Sequence, residues 1–160
     1  ARTYRYVILN RPVRSALDRH RAWQLRVPID AAVMQVAASH LIGEHDFSSF
    51  RAAGCQSKNP VRRIEALEVV RHGEHVVIEV RANGFLYHMV RNIVGSLVRA
   101  GSGEAEPGWL GELLALRDRR VAAPTAPSAG LFLAAVHYPE VFGLPVPSSR
   151  LVSSAEWRDR

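Results

Sequence analysis

The chain has 160 residues, of which 48% are hydrophobic, and its 21 basic against 15 acidic residues give a net charge of +6. This length suits one domain with a sizeable core, and the composition argues against a disordered protein. The sequence shows no signal peptide, transmembrane run or lipidation motif, and the single Cys55 excludes an internal disulfide framework. We therefore expect a protein of the reducing cytoplasm without a membrane partner.

The positive charge is carried almost entirely by arginine. Twenty of the 21 basic residues are Arg, and Lys58 is the remaining one. An Arg-rich positive balance favours a phosphate-rich partner such as nucleic acid. A solvated basic surface explains the same balance equally well, so charge alone leaves both interpretations open.

The first part of the chain predicts a strand, a connector and a helix. Residues 2–10 alternate and then become apolar, which is typical of a strand. Residues 13–27 form a basic connector without a clear period. Asp30 is the expected N-cap of a helix that Gly43 closes.

The later elements complete a mixed helix and strand pattern. Residues 61–71 and 75–82 form the clearest hairpin, with the turn at residues 72–74. A short helix is predicted over residues 107–117 and a last strand over residues 130–138. The order of these elements predicts an α+β domain in which helices cover an antiparallel β-sheet.

The most informative stretch is residues 81–103. It contains a turn signal, Asn83-Gly84, and it closes on two glycines, so the spacing predicts a helix from Phe85 onwards. Nine apolar residues, Tyr87 among them, cover more than half of the helical wheel. Polar residues form a stripe on the remaining arc. We expect a largely buried helix with one polar stripe.

Two members of this stripe, Arg91 and Gly95, are one helical turn apart. A glycine inside a helix costs about 1 kcal/mol against alanine, so we expect Gly95 to clear space beside the guanidinium. Arg91 lies near the border of the apolar arc, where an arginine requires a carboxylate or phosphate partner. On the helix alone, the favoured explanation is a structural salt bridge.

The residues from Phe85 to Gly95 read Phe-Leu-Tyr-His-Met-Val-Arg-Asn-Ile-Val-Gly, and they resemble the signature of the tRNA pseudouridine synthase A family. The resemblance extends over almost the whole chain. Its further parts are residues 4–6, 43–51, 55–57, Pro60 and 130–133. It implies a C-terminal, pseudouridine-synthase-like domain over residues 1–143, followed by a tail over residues 144–160.

Enzymes of this family break the glycosidic bond of a uridine, turn the base and rejoin it through carbon. The resemblance implies that Tyr4 stacks on the uracil and that Arg91 pairs with the catalytic aspartate. Leu131 and Leu133 match family residues near the active site, which implies an apolar wall beside the base, although ordinary strand core explains them equally well. The resemblance implies no cofactor.

The segment that carries the catalytic aspartate has no match in this chain. In the family it reads Arg-Thr-Asp-Ala-Gly and belongs to the N-terminal half. None of the aspartates here has that context; they are Asp18, Asp30, Asp46, Asp118 and Asp159. No residue is therefore assigned as nucleophile, and we expect a C-terminal half that lacks the N-terminal domain and is inactive by itself.

The resemblance implies uridine at positions 38 to 40 of the tRNA anticodon stem-loop as the substrate, and a homodimer as the assembly. The residues expected to contact the RNA are basic or polar, and they are Arg2, Arg5, Arg51, Lys58, Arg62, His88 and Asn92. Each taken singly also fits a solvated surface position. No metal site is predicted, because the chain has no Cys pair and its His residues are scattered.

Two other interpretations remain open. The chain could be a non-catalytic RNA-binding module derived from the same fold, or a structural domain that binds proteins. An Arg-Thr-Asp-Ala-Gly segment upstream in the same gene would separate the enzyme from the module. A lack of tRNA affinity would identify the structural domain.

Overall fold

The structure is a computed structural model that describes residues 1–145. Most of the predicted tail, residues 146–160, lies outside this range. Within the described residues, six strands and three α-helices follow one another in an α+β order, as predicted. Their bounds are β1 Arg2–Asn10, β2 Trp23–Leu25, α1 Ala31–Ser39, β3 Gly43–Asp46, β4 Val61–His72, β5 His75–Ala82, α2 Met89–Gly101, α3 Trp109–Leu116 and β6 Leu131–Val136.

All six strands belong to one sheet, in the order β2, β1, β5, β4, β3. The free side of β1 is shared, because β6 pairs with its first half and β2 with its last three residues. Every pairing is antiparallel except the short parallel pairing of β1 with β2. The strands β2 and β3 were not predicted, since three or four residues are too few to show an alternating pattern.

The predicted hairpin of β4 and β5 is confirmed. Leu67 lies opposite Val80 and Val69 opposite Ile78, and all four side chains face the main core. Gly73 adopts a positive φ of 60° at the turn, a conformation that favours glycine. The hairpin is therefore the central support on which the helices pack.

Helix α1 begins at the predicted N-cap. The Asp30 carboxylate accepts hydrogen bonds from the backbone N–H groups of Ala32 and Val33, at 2.9 and 3.2 Å. The helix ends at Ser39, however, four residues before Gly43. Residues 40–42 leave it in a turn, and Ile42, which was predicted on the apolar face, is 43% exposed.

Helix α2 is buried as predicted but begins at Met89, so the prediction of a start at Phe85 is wrong. His88 precedes the helix in the left-handed conformation, with φ 56°, and this breaks the helical path. Of the residues just before it, Leu86 is buried while Tyr87 is 52% exposed, so the burial predicted for Tyr87 is also wrong. The helical spacing of these apolar residues concealed a turn.

The three helices lie on one face of the sheet and enclose the main core. The opposite face carries a small cluster of Val7, Leu9 and Ala22 at one end of β1. An open cleft of about 820 Å³ lies beside it, between β1 and the connector. No residue predicted for the active site lines this cleft, which separates it from the region described next.

Candidate active site

Tyr4 lies near the start of β1, on the face that the helices cover. Its ring meets the Phe85 ring edge-on, with 5.1 Å between the centroids. Leu133 is directly opposite Tyr4 on β6, so the two side chains are neighbours on one face, and Leu133 is 55% exposed. Leu131 is half-buried and packs against the core. An aromatic ring and an aliphatic wall therefore meet at an open edge of this face.

Tyr6 lies beneath this edge and is fully buried. Its hydroxyl donates a hydrogen bond of 2.6 Å to the carbonyl oxygen of Pro127. Gly130 allows the close packing, because a Cβ at that position would lie 2.8 Å from the Tyr6 ring. Burial raises the pKa of Tyr6 above its usual value, and the positive charge of Arg91 offsets part of this rise. Tyr6 thus joins β1 to the loop that follows α3.

Arg91 is held by two contacts at the start of α2. Its Nε donates to the carbonyl oxygen of Ala126 at 2.7 Å, and its Nη1 lies 3.2 Å from Nε2 of His88. An arginine has five N–H donors, so about three remain without a partner among residues 1–145. The structural salt bridge that the helix alone favoured is not formed there, because no carboxylate of the described residues pairs with Arg91.

Gly95 makes room for a different group from the one predicted. A Cβ at this position would lie 2.1 Å from the carbonyl oxygen of Pro124 and 3.6 Å from the backbone nitrogen of Ala126. The space is therefore cleared for the loop backbone and not for the guanidinium. Since the backbone N–H of Ala126 also donates to the carbonyl oxygen of Arg91, the loop is fixed along the first two turns of α2.

Residues 85–88 form the entry turn of α2, and His88 ends it. Arginine cannot accept a hydrogen bond, so Nε2 of His88 must be the acceptor from Arg91, which places the His88 proton on Nδ1. Burial, and then the positive charge of Arg91, lower the pKa of His88. His88 is thus a neutral acceptor that orients the guanidinium.

Asn92 was predicted to contact RNA, but the structure places it inside the protein with 0% exposure. Its amide nitrogen donates to the carbonyl oxygen of Phe50 at 2.8 Å. Its amide oxygen accepts from the Thr125 hydroxyl at 2.6 Å and from the Arg119 guanidinium at 3.0 Å. A direct contact with RNA does not fit these surroundings. Asn92 instead fixes the loop whose carbonyl oxygen holds Arg91.

Three of the predicted RNA contacts lie in the basic loop, which we define as residues 51–62. Arg51 donates to the carbonyl oxygen of Cys55, and Arg62 donates to the Ser57 hydroxyl, while Lys58 is exposed. The loop is attached to the entry turn because Sγ of Cys55 accepts from the backbone N–H of Tyr87 at 3.5 Å. The basic loop therefore lies beside the entry turn, at the start of the helix that carries Arg91.

The two predicted arginine contacts on β1 separate from each other. Arg2 is exposed and alternates onto the same face as Tyr4. Arg5 points to the opposite face, where its guanidinium pairs with the buried Glu79 at 2.6 Å. The structure therefore brings Arg2, but not Arg5, to the face that carries the candidate site.

The four aspartates within residues 1–145 have other partners. Asp30 caps α1, Asp18 lies 3.3 Å from His75, and Asp118 pairs with Arg120. Asp46 accepts from both the backbone N–H and the hydroxyl of Ser48. Burial raises the pKa of Asp46, but the Ser48 hydrogen bonds and two nearby arginines outweigh it, so the net pKa is lowered. None of the four is placed to act with Arg91.

The part of the chain that the structure describes contains no group of three His, Cys, Asp or Glu side chains arranged to hold a metal ion. Within the same residues, no helix is both long and apolar enough for a membrane crossing.

Comparison with known proteins decides the family. A family model described as tRNA pseudouridine synthase matches residues 37–139, which is more than half of the chain. This chain belongs to the tRNA pseudouridine synthase family. The match includes the whole of α2, the loop that holds Arg91 and strand β6, but not Tyr4 and Tyr6 of β1.

Several curated relatives carry the name tRNA pseudouridine synthase A. The protein of Methylococcus capsulatus is 54% identical over 144 residues, which are 90% of this chain and 53% of that protein. The protein of Actinobacillus succinogenes is 50% identical over 91% of this chain and 55% of its own length. The protein of Paraburkholderia xenovorans is 47% identical over 99% of this chain and 59% of its own length. The chain thus spans somewhat more than half the length of these relatives.

Two features of this synthase-family site were missed from the sequence. The hydrogen-bond network of the buried Asn92 with the half-buried Arg119 and Thr125 joins residues up to 33 positions apart, and only the folded loop brings them together. The exposure of Tyr87 was concealed by its helical spacing. The chain turns at His88, which has a positive φ, and nothing in the sequence predicts this conformation for a histidine.

Proposed function

We propose that this chain is the tRNA-binding, catalytic-support half of an enzyme that isomerises uridine to pseudouridine at positions 38 to 40 of the anticodon stem-loop. The observation that carries the proposal is the state of Arg91. Its guanidinium is fixed from one side by Ala126 and His88, yet it has unpaired donors and no carboxylate partner among the described residues. A cation fixed in this way is suited to a carboxylate that arrives from elsewhere.

In this proposal the carboxylate is the catalytic aspartate, supplied by residues outside these 160. The greater length of the relatives supports such a segment. The Arg91 fork pairs with the aspartate and holds it beside the uridine. Bidentate pairing fixes both the position and the ionised state of a carboxylate, and both are needed for it to attack.

Tyr4 and the leucines of β6 hold the base. The Tyr4 ring stacks on the uracil that has left the RNA helix, a contact worth roughly 1–3 kcal/mol. Leu133 forms the wall beside it, since it is the cross-strand neighbour of Tyr4 and remains exposed. The apolar surroundings allow the freed base to turn before it is rejoined through carbon.

The phosphates of the tRNA meet the cations on the same side. We assign this role to Arg2, Arg51, Lys58 and Arg62, and we leave out Arg5 because its partner Glu79 is buried on the other face. We also propose a cytoplasmic homodimer as the working assembly. The alternative of a non-catalytic RNA-binding module is supported by the same cations, and it differs in requiring no carboxylate at Arg91.

Pseudouridine mapping of tRNA from cells with this gene disrupted tests the proposal. We expect the pseudouridines at positions 38 to 40 to vanish and to return with the intact gene. If they persist with no paralogue to compensate, the protein is a binding module.

A second assay uses the purified 160-residue chain. We expect it to bind tRNA with an affinity that falls steeply with salt, and to form no pseudouridine. Product from this chain alone would overturn the assignment of the aspartate to another segment.

A further inference from the structure

Tyr87 is an exposed aromatic side chain on a fixed backbone. The residue is 52% exposed, although its backbone is hydrogen-bonded on both sides. The N–H donates to Sγ of Cys55, and the carbonyl oxygen accepts from the backbone N–H of Ala52 at 3.1 Å. A single exposed aromatic residue is ordinary on a protein surface, so its neighbours must decide what it does.

The ring has one covered face and one open face. His88 stacks on it with 3.9 Å between the ring centroids and 26° between the planes. Because His88 covers one face and half of the residue is still exposed, the exposed surface lies on the ring edge and the other face. Nε2 of His88 contacts Nη1 of Arg91, so the stacked rings of Tyr87 and His88 lie next to the guanidinium of the candidate site.

The surroundings of Tyr87 are cationic. Cys55, which holds its backbone, belongs to the basic loop with Arg51 and Lys58. Arg62 packs beside Gly84, the residue just before the entry turn, since a Cβ on Gly84 would lie 3.5 Å from Nε of Arg62. An open aromatic face within a basic surface is the arrangement that binds unpaired nucleic acid bases.

The distance to the uracil site is short. Phe85 contacts the Tyr4 ring and precedes Tyr87 by two residues. Two residues of chain span at most about 7 Å between Cα atoms. Tyr87 therefore lies within reach of a nucleotide that neighbours the one held by Tyr4.

We propose that Tyr87 is a stacking platform for an unpaired RNA base that flanks the target uridine. This proposal rests on the proposed function and adds a second base site to it. The open face of the ring receives the base, His88 supports the ring from behind, and the basic loop holds the adjoining phosphates.

The test is the affinity of the protein for a synthetic anticodon stem-loop RNA, measured for wild type, Tyr87→Ala and Tyr87→Phe. We expect Tyr87→Ala to weaken binding by roughly 5- to 150-fold, the usual loss of one base–aromatic stack. Tyr87→Phe keeps the ring and should bind within about twofold of wild type. Phe132→Ala is the control, because Phe132 is 41% exposed and lies opposite Arg5, on the other face of the sheet from Tyr4.

Two further readouts separate stacking from other effects. Tyr87→Ala should leave the salt dependence of binding unchanged, whereas Lys58→Ala should lower its slope by roughly one phosphate contact. Alkylation of Cys55 should slow when the RNA is bound, because Cys55 contacts Tyr87 directly.

The outcomes are distinguishable. If wild type binds the RNA and Tyr87→Ala binds equally well, the platform is overturned while the proposed function stands. If Tyr87→Phe loses as much affinity as Tyr87→Ala, the hydroxyl and not the ring is responsible, which also overturns stacking. If wild type binds no RNA, the proposed function fails together with the platform.

Discussion

The entry turn and the buried stripe of α2 carry polar groups on neighbouring turns, but their surroundings are opposite. At the entry turn Tyr87 is half exposed, and Arg91 in the first turn of α2 has unpaired donors. In the buried stripe, which we define as Asn92, Gly95 and Ser96, all three residues are buried against protein. The stripe fixes the loop that holds Arg91, whereas the entry turn exposes Tyr87 to solvent. The comparison predicts that changes in the stripe affect stability, while changes at the entry turn affect binding.

The largest expected loss of stability is that of Asn92→Ala. It removes three hydrogen bonds and leaves the buried carbonyl of Phe50 without its partner, so the free energy of unfolding should fall by about 3 kcal/mol. Denaturant titration measures this loss. Asn83→Ala is the control, because Asn83 is exposed and accepts one backbone hydrogen bond, and it should cost less than about 1 kcal/mol. Equal losses for both variants would contradict a structural role for Asn92.

Gly95→Ala should lower the free energy of unfolding by about 2 kcal/mol. The new methyl group would overlap the Pro124 carbonyl, and the better helix propensity of alanine offsets only part of that loss. Gly111→Ala in α3 meets only the His40 ring at 3.4 Å and should be neutral or stabilising. Thermal and denaturant unfolding of the pair provide the check. A neutral Gly95→Ala would show that the loop does not approach α2 as closely as described.

Tyr6→Phe should lower stability by about 1 kcal/mol at pH 8, because it removes the hydrogen bond to Pro127. The folded pKa of Tyr6 lies above the unfolded value of about 10, so the neutral hydroxyl stabilises the fold below pH 10 and this contribution is lost as the pH rises further. The difference in free energy of unfolding between wild type and Tyr6→Phe should therefore become smaller as the pH rises above 10. A constant difference from pH 8 to pH 11 would contradict the raised pKa.

The smallest stability effect is expected at the entry turn. His88→Gly suits the left-handed backbone and should leave stability unchanged or raise it by up to about 1 kcal/mol. The same change removes the ring behind Tyr87 and the acceptor beside Arg91, so RNA affinity should fall. Calorimetry and RNA titration on one sample compare the two effects. A large loss of stability with unchanged RNA affinity would contradict the contrast between the entry turn and the buried stripe.

The sequence predicted the hairpin, the three helices and the α+β class because these elements are long enough to show a period. It missed strand β2, whose three residues pair with β1 in parallel, since such a short segment carries no pattern. The start of α2 was misplaced because Phe85, Leu86 and Tyr87 keep helical spacing through a turn.

The candidate site was predicted in part. The motif indicated Arg91, and its charge acts on Tyr6, which lies on the same face of β1 as Tyr4. A helical wheel assigns residues to a stripe but does not show which segment covers it. Asn92 was therefore expected to contact RNA, although residues 119–126 cover it and satisfy its amide group. The partner of Arg5 was missed for a related reason, since Glu79 is 74 residues away in sequence although it lies on the neighbouring strand β5.

The most direct measurement replaces the gene in its host with an Arg91→Ala allele and maps pseudouridine at positions 38 to 40 of the tRNA. An Arg99→Lys allele is the control, because Arg99 lies two turns further along the same helix and the lysine keeps the positive charge. With protein levels matched, the account predicts that Arg91→Ala lowers the modification rate by roughly 100-fold or more, the cost of leaving a charged partner unpaired. Arg99→Lys should modify the tRNA normally. Normal modification in the Arg91→Ala cells would contradict the central claim that Arg91 holds the catalytic carboxylate.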